Sequence, residues 1–176
     1  VLRTADGTVV NGEWEVQESN LVFTPQSQLA EGTYTVEVTS ADIFGNAGSI
    51  SFEFTVDTSL PEVASVTIAP DSIFRAETGS FTIVFNEPML QSVPLAVTFG
   101  EVEPYDTYTV QGSWINNTTW KGSFTFSSET GDGEYTLAMY GAADLASNEM
   151  ESADGGSFVL DTVAPGTPVL DPVDST

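Results

Sequence analysis

The chain contains no histidine and no cysteine, and only three of its 176 residues are Lys or Arg. Each shortage excludes chemistry. Without His, the usual general base and the usual zinc or haem ligand are missing. Without Cys there is no thiol nucleophile, no disulfide and no iron–sulfur ligand. Against three basic residues stand 26 Asp and Glu, a net charge of −23. Such a surface repels phosphate backbones and anionic lipid heads, which argues against nucleic acid and against membrane surfaces as partners. No run of about 18 apolar residues exists to insert into a bilayer. Arg3, Arg75 and Lys121 are the only sites for a trypsin-like protease. What remains is plentiful carboxylate, which suits hard cations such as Ca²⁺. The hydrophobic content of 40% is enough for a packed core.

The local pattern is alternation. Tyr34, Val36 and Val38 alternate with Thr35, Glu37 and Thr39; Phe52, Phe54 and Val56 alternate with Ser51, Glu53 and Thr55. Phe81, Ile83 and Phe85, and later Tyr135, Leu137 and Met139, repeat the same period of two. That period belongs to half-buried antiparallel strands, and Gly, Asn, Asp and Pro clusters punctuate it as in a sandwich. Outward acids such as Glu37 and Glu53 discourage edge-to-edge sheet pairing. No stretch carries a helical stripe. The expected fold is all-β, built from antiparallel sandwiches.

The chain also repeats itself. Glu31-Gly-Thr-Tyr34-Thr-Val36 matches Asp132-Gly-Glu-Tyr135-Thr-Leu137. Asp42 and Asn46 follow the first copy, Asp144 and Asn148 the second, with a spacing of four in both. Gly12-x-Trp14 matches Gly112-x-Trp114, and Asp57-Thr58-x-x-Pro61 matches Asp161-Thr162-x-x-Pro165. From Asp57 to Asp161 the period is 104 residues. Residues 58–161 then form one whole repeat. Residues 1–57 match its later part, with Val1 near Val97, and residues 162–176 match a linker and first strand. The first part lacks two opening strands, one of them central. Three explanations stay open: a piece of a longer chain, a poorly packed fragment, or strands donated by a neighbouring molecule, including its own 165–176 tail.

The stretch Leu29 to Gly48, followed by Phe54-Thr-Val-Asp-Thr-Ser-Leu-Pro61, resembles the bacterial immunoglobulin-like repeats of large surface proteins. Ile83-Val-Phe-Asn-Glu-Pro-Met89 is similar to the Phe-Ser-Glu-Pro-Met strand of the S-layer-type members. The second copy departs from the pattern where Gly45 becomes Ser147 and Glu149-Met-Glu151 lengthens the last hairpin. The resemblance implies tandem Ig-like sandwiches in an extracellular spacer, stalk or adhesin, arrayed with neighbouring repeats and often stiffened by Ca²⁺ between domains.

In such a sandwich the entering linker, the end of the second strand and the last hairpin share a pole. That places Asp57, Asn86, Glu87, Asp144 and Asn148 as candidate calcium ligands for the whole repeat. Asp42 and Asn46 are the equivalent set in the truncated copy, and Asp161 serves the following joint. The alternative is that Asp42, Asn46, Asp144 and Asn148 are turn formers bonding their own backbone. Tyr34 and Tyr135 match a tyrosine corner. Trp14, Trp114 and Trp120 raise a sugar platform, set against plain packing. Lys121 raises an isopeptide bond but falls on the outward parity. Asn116 to Thr119 holds two overlapping sequons in a polar loop. Glu101 and Glu103 share a strand face without an obvious cleft, so no catalytic residue is assigned. The expected function is a non-catalytic stalk. Its alternatives are a carbohydrate-binding accessory module and a self-assembling filament or S-layer subunit.

Overall fold

The computed structural model describes residues 1–70 and 73–169 and contains only strands, turns and loops there. The chain divides into two compact units, Val1–Ser59 and Leu60–Thr176.

In the first unit, β1 (Leu2–Thr4), β4 (Gly32–Ala41) and β5 (Ala47–Val56) form one antiparallel sheet in the order β1-β4-β5. Next to it stands a hairpin of β2 (Gly12–Gln17) and β3 (Asn20–Pro25). Glu18 and Ser19 make its two-residue turn, with Glu18 at φ 55°, as tight hairpins require. The apolar alternation of β4 points Tyr34 and Val36 inward onto Leu2, with Phe23, Leu29, Phe54 and Val56 packed around them. This core is thin. Phe52 and Ile50 on β5, and Val16 and Leu21 on the hairpin, are exposed.

The second unit is fuller. Its strands are β6 (Val63–Ala69), β7 (Ile73–Phe74), β8 (Thr78–Phe85), β9 (Ala96–Gly100), β10 (Tyr108–Thr109), β11 (Gln111–Trp114), β12 (Thr119–Thr125), β13 (Gly133–Tyr140) and β14 (Ala153–Leu160). They make a five-stranded sheet, β10-β9-β13-β14-β7, and a four-stranded sheet, β11-β12-β8-β6. Pairing is antiparallel except between β14 and β7, which run parallel. Phe81, Ile83 and Phe85 from one sheet meet Val97, Phe99, Leu137, Met139, Phe158 and Leu160 from the other. Phe99 is fully buried at the centre, with six aromatic rings within 6.5 Å of its own between centroids.

The pairings fix the repeat register. Tyr34 opposes Phe54 as Tyr135 opposes Phe158. Leu2 opposes Val36 as Phe99 opposes Leu137, which sets Val1 level with Thr98, one residue from the sequence alignment. β1 to β5 therefore correspond to β9, β11, β12, β13 and β14. The sequence reading expected two opening strands to be missing from the first copy. The second unit shows three there, because β6 and β7 lie in different sheets and β8 follows. β8 pairs with both β12 and β6, so its counterpart would be the inner neighbour of β3. The consequence shows in one matched pair: Phe158 is 1% exposed, whereas Phe54 is only half-buried.

The longer last hairpin of the second unit has a physical reason. The added residues return Met150 to the core, where it is 7% exposed. A bulge between Thr136 and Ala138 then restores the register of β14. Residues 161–169 form no strand, and the rest of the strand expected in 162–176 lies outside the described residues.

Candidate functional site

The turn after β13 is built by one carboxylate. Asp144 Oδ1 accepts the backbone N–H groups of Ala146 and Asn148 at 2.8 and 2.9 Å, and Oδ2 accepts the Asn148 side-chain amide at 2.8 Å. The first unit repeats this atom for atom. Asp42 Oδ1 accepts from Phe44 and Asn46, and Oδ2 accepts the Asn46 amide at 2.7 Å. The Asn46 side chain and backbone hold the Asp42 carboxyl below the usual aspartate value. The turn-forming alternative is therefore what these four side chains do. The departure at Ser147 leaves the geometry unchanged: Ser147 takes φ 71° where Gly45 takes φ 87°.

The two turns differ in burial. Asp42 is exposed, whereas Asp144 is 1% exposed and bridges to Met89 on the segment after β8. That segment also brings Glu87, whose carboxylate oxygen comes within 4.8 Å of an Asp144 oxygen. Asn86 faces the start of the unit: its Oδ1 accepts the Glu62 N–H at 2.9 Å, and its own N–H donates to the Glu62 carbonyl at 3.0 Å. Within the second unit, Glu62, Asn86, Glu87, Asp144 and Asn148 thus share one pole, as the sandwich topology requires. The two linker acids are turn formers too. Asp57 Oδ1 accepts the Ser59 N–H, and Asp161 Oδ1 accepts the Val163 N–H, both at 3.1 Å.

Sequence reasoning missed a clamp on those linkers. Asp132 Oδ1 accepts both the N–H and the hydroxyl of Thr162, at 2.8 and 2.6 Å. These bonds, the hydroxyl first, lower the Asp132 carboxyl. Glu31, at the matching place, accepts the Ser59 hydroxyl at 2.9 Å. The shared acidic residue before Gly-x-Tyr was the available signal.

The remaining candidates resolve simply. Tyr34 donates to the Ala30 carbonyl, and Tyr135 to the carbonyls of Thr130 and Gly131, each at 2.8 Å, which is the tyrosine corner. Trp120 is buried in the core, Trp114 is half-buried and donates to the Val93 carbonyl, and Trp14 packs on Phe23. The three Trp side chains do not present one exposed platform. Lys121 is exposed, which removes the buried amine an isopeptide bond needs. Asn116 closes its own turn by accepting from Thr118. A groove of about 360 Å³, bounded in part by Glu103, Tyr105, Asp106, Tyr140 and Asp154, was not foreseen. It arises where the loop after β9 folds over the outer face of the five-stranded sheet, and no local motif announces it.

No curated protein matches the chain. Residues 1–58 match the family described as bacterial Ig-like domain, the family their motifs resemble, and the second unit carries the same strand order in fuller form.

Proposed function

We propose that the chain is a non-catalytic spacer, a tandem Ig-like stalk segment of an extracellular bacterial surface or adhesin protein. The observation that carries this reading is the repetition itself. Two copies of one strand order follow each other in one chain, and each has an acid clamped to the segment leaving its last strand. Such clamps, with a Pro three residues after each Asp-Thr, limit the freedom of the linkers. Stiffness and reach are the mechanism.

Calcium is the proposed stiffener. The polar groups gathered at the entry pole of the second unit include the carboxylates of Glu87 and Asp144 and the amide of Asn148, a donor set suited to a hard cation. Asp144 spends three lone-pair positions on its turn and keeps about one of four for a further partner. Asp57 is the linker acid nearest in sequence, and Asp42, Asn46 and Asp161 hold the equivalent positions for adjoining repeats. Melting the whole chain with Ca²⁺ and with EDTA tests this. A higher melting temperature in calcium, lost in Glu87→Gln, supports it; identical melts sink the calcium part.

A second reading, self-assembly, draws on β3, which pairs only with β2 among the described residues. Light scattering across a concentration series separates the two, because a spacer stays at one mass.

A further inference from the structure

We propose that the first unit carries a spontaneous modification site at the open end of its hairpin, the Asn11–Gly12 bond. The Gly12 backbone nitrogen attacks Cγ of Asn11. Its proton passes to water, the new N–C bond closes a five-membered succinimide, and the side-chain amide leaves as ammonia. Water then opens the ring at either carbonyl. One opening gives aspartate; the other gives isoaspartate, whose main chain runs through the side-chain carbon and is longer by a methylene. The net reaction consumes one water and turns an amide into a carboxylate.

The structure leaves both reacting groups free. The Asn11 carbonyl accepts the Gln26 N–H at 2.9 Å, so these two residues are a hydrogen-bonded pair of the ladder. The next pair, Gly12 and Pro25, then faces across without bonds. The Gly12 N–H therefore points to the outer edge of β2, which has no strand beside it among the described residues. The Asn11 side-chain amide makes no hydrogen bond among the described residues, and both residues are exposed. Gly12 also has no Cβ to obstruct ring closure. Of the asparagines in the chain, Asn11 alone precedes glycine. Asn46 and Asn148 precede Ala47 and Glu149, and their amides are tied to Asp42 and Asp144. The neighbouring Asp6–Gly7 bond is protected on both sides: Gly7 N–H donates to the Thr4 carbonyl, and the Asp6 carboxylate is held by Thr4 and Thr8. The glycine itself is fixed by packing in each repeat. A Cβ at Gly12 would run into the Phe23 ring and the Thr24 carbonyl, and one at Gly112 into the Trp120 ring and the Lys121 carbonyl. The repeats differ in the residue before it. Gln111, longer by a methylene, would have to close a larger and slower ring, so the site belongs to the first unit alone.

The test is ageing of the whole folded chain at mildly alkaline pH, followed by ammonia release and by peptide mass mapping with fragmentation. Aspartate and isoaspartate should accumulate at residue 11 before any other asparagine changes, and faster as the pH rises. Asn11→Gln, which copies the second repeat at an exposed position, should abolish that signal with an unchanged melting temperature. Amide hydrogen exchange in β2 and β3 should quicken in the isoaspartate product, because the added methylene displaces the Asn11–Gln26 pairing. Asn11→Asp, which adds the charge without the methylene, should exchange like the fresh chain. Another asparagine reacting first overturns the proposal. So does aspartate formed without isoaspartate, which would be direct hydrolysis with no ring. Reaction in the urea-unfolded chain but not in the folded one overturns it as well, since the hairpin would then hold the two groups apart.

Discussion

Asp144 holds Asn148 twice, its Oδ1 on the backbone N–H at 2.9 Å and its Oδ2 on the side-chain amide at 2.8 Å. The pair closes the turn after β13 while buried beside Met89. Removing the carboxylate strands backbone donors in a place that water reaches poorly. Asp144→Ala should therefore cost about 2–4 kcal/mol, since bonds to a charged acceptor are worth more than neutral ones and orphaned donors add their desolvation. Asp42→Ala removes the same bonds on an exposed turn, where water replaces them, and should cost clearly less. Urea denaturation of the two variants, read at probes in each unit, checks the ordering. Equal losses would mean that burial of Asp144 contributes nothing.

Phe158 and Phe54 occupy one position of the repeat, opposite Tyr135 and Tyr34. The first is closed in by β8 and its neighbours, and the second is only half-buried. Phe158→Ala should cost about 3–5 kcal/mol, the range for truncating a buried aromatic. Phe54→Ala should cost less than half of that, because less surface leaves water in the first place. Supplying the first unit with the strands it lacks should raise the Phe54 value toward that of Phe158. The measurement is the same denaturation pair, made with and without a fused segment of β6 to β8 sequence.

Acidification should reach the turns of the first unit late, because the carboxyls that close them hold their protons off. The Thr4 hydroxyl, with the Thr8 backbone, lowers Asp6 from 3.8 to about 2, and Asn46 lowers Asp42. A carboxyl whose folded value lies below its unfolded value binds its proton more readily when unfolded. Its stabilising contribution is complete above pH 3.8 and falls away as the pH drops through the folded value, near 2 for Asp6. Carboxyl-carbon NMR should show Asp6 and Asp42 still ionised when exposed glutamates are protonated. Ordinary titration of both near 3.8 would show that the turns do not hold their protons off.

The strands were legible because half-burial imposes a period of two, and Tyr34 to Val38, Phe81 to Phe85 and Tyr135 to Met139 obey it. The turns at Asp42 and Asp144 were legible because an Asx side chain acts on residues two and four ahead, within its own segment. The role of Asn86 could be placed at a pole by topology, but its bond to Glu62 depends on where two remote strands end. The split of the opening strand into β6 and β7 was invisible, since the sheet each half joins is set by partners remote in sequence, β8 for one and β14 for the other. The groove was invisible for a related reason. Glu103, Tyr105, Tyr140 and Asp154 come from a loop and two strands whose neighbourhood exists only after the sheet forms.

Ser147 stands where the first repeat has Gly45, and it takes the same left-handed conformation, φ 71° against φ 87°. For an L-residue that region costs about 1–2 kcal/mol through the approach of Cβ to the carbonyl. Ser147 persists there because Asp144 fixes the turn on both sides of it, through Ala146 and Asn148. Ser147→Gly removes the clash but gives the unfolded chain more freedom, an opposing term of about 0.4–1 kcal/mol. The balance favours the variant by about 0.5–1 kcal/mol. Gly45→Ser should carry the opposite sign in the first unit. Combining Ser147→Gly with Asp144→Ala gives the sharper reading. If Asp144 is what holds the strained residue in place, the gain from glycine should shrink once the carboxylate is gone, because the loosened turn lets Ser147 relax by itself. A double-mutant cycle that is strictly additive would show that the strain and the carboxylate are independent.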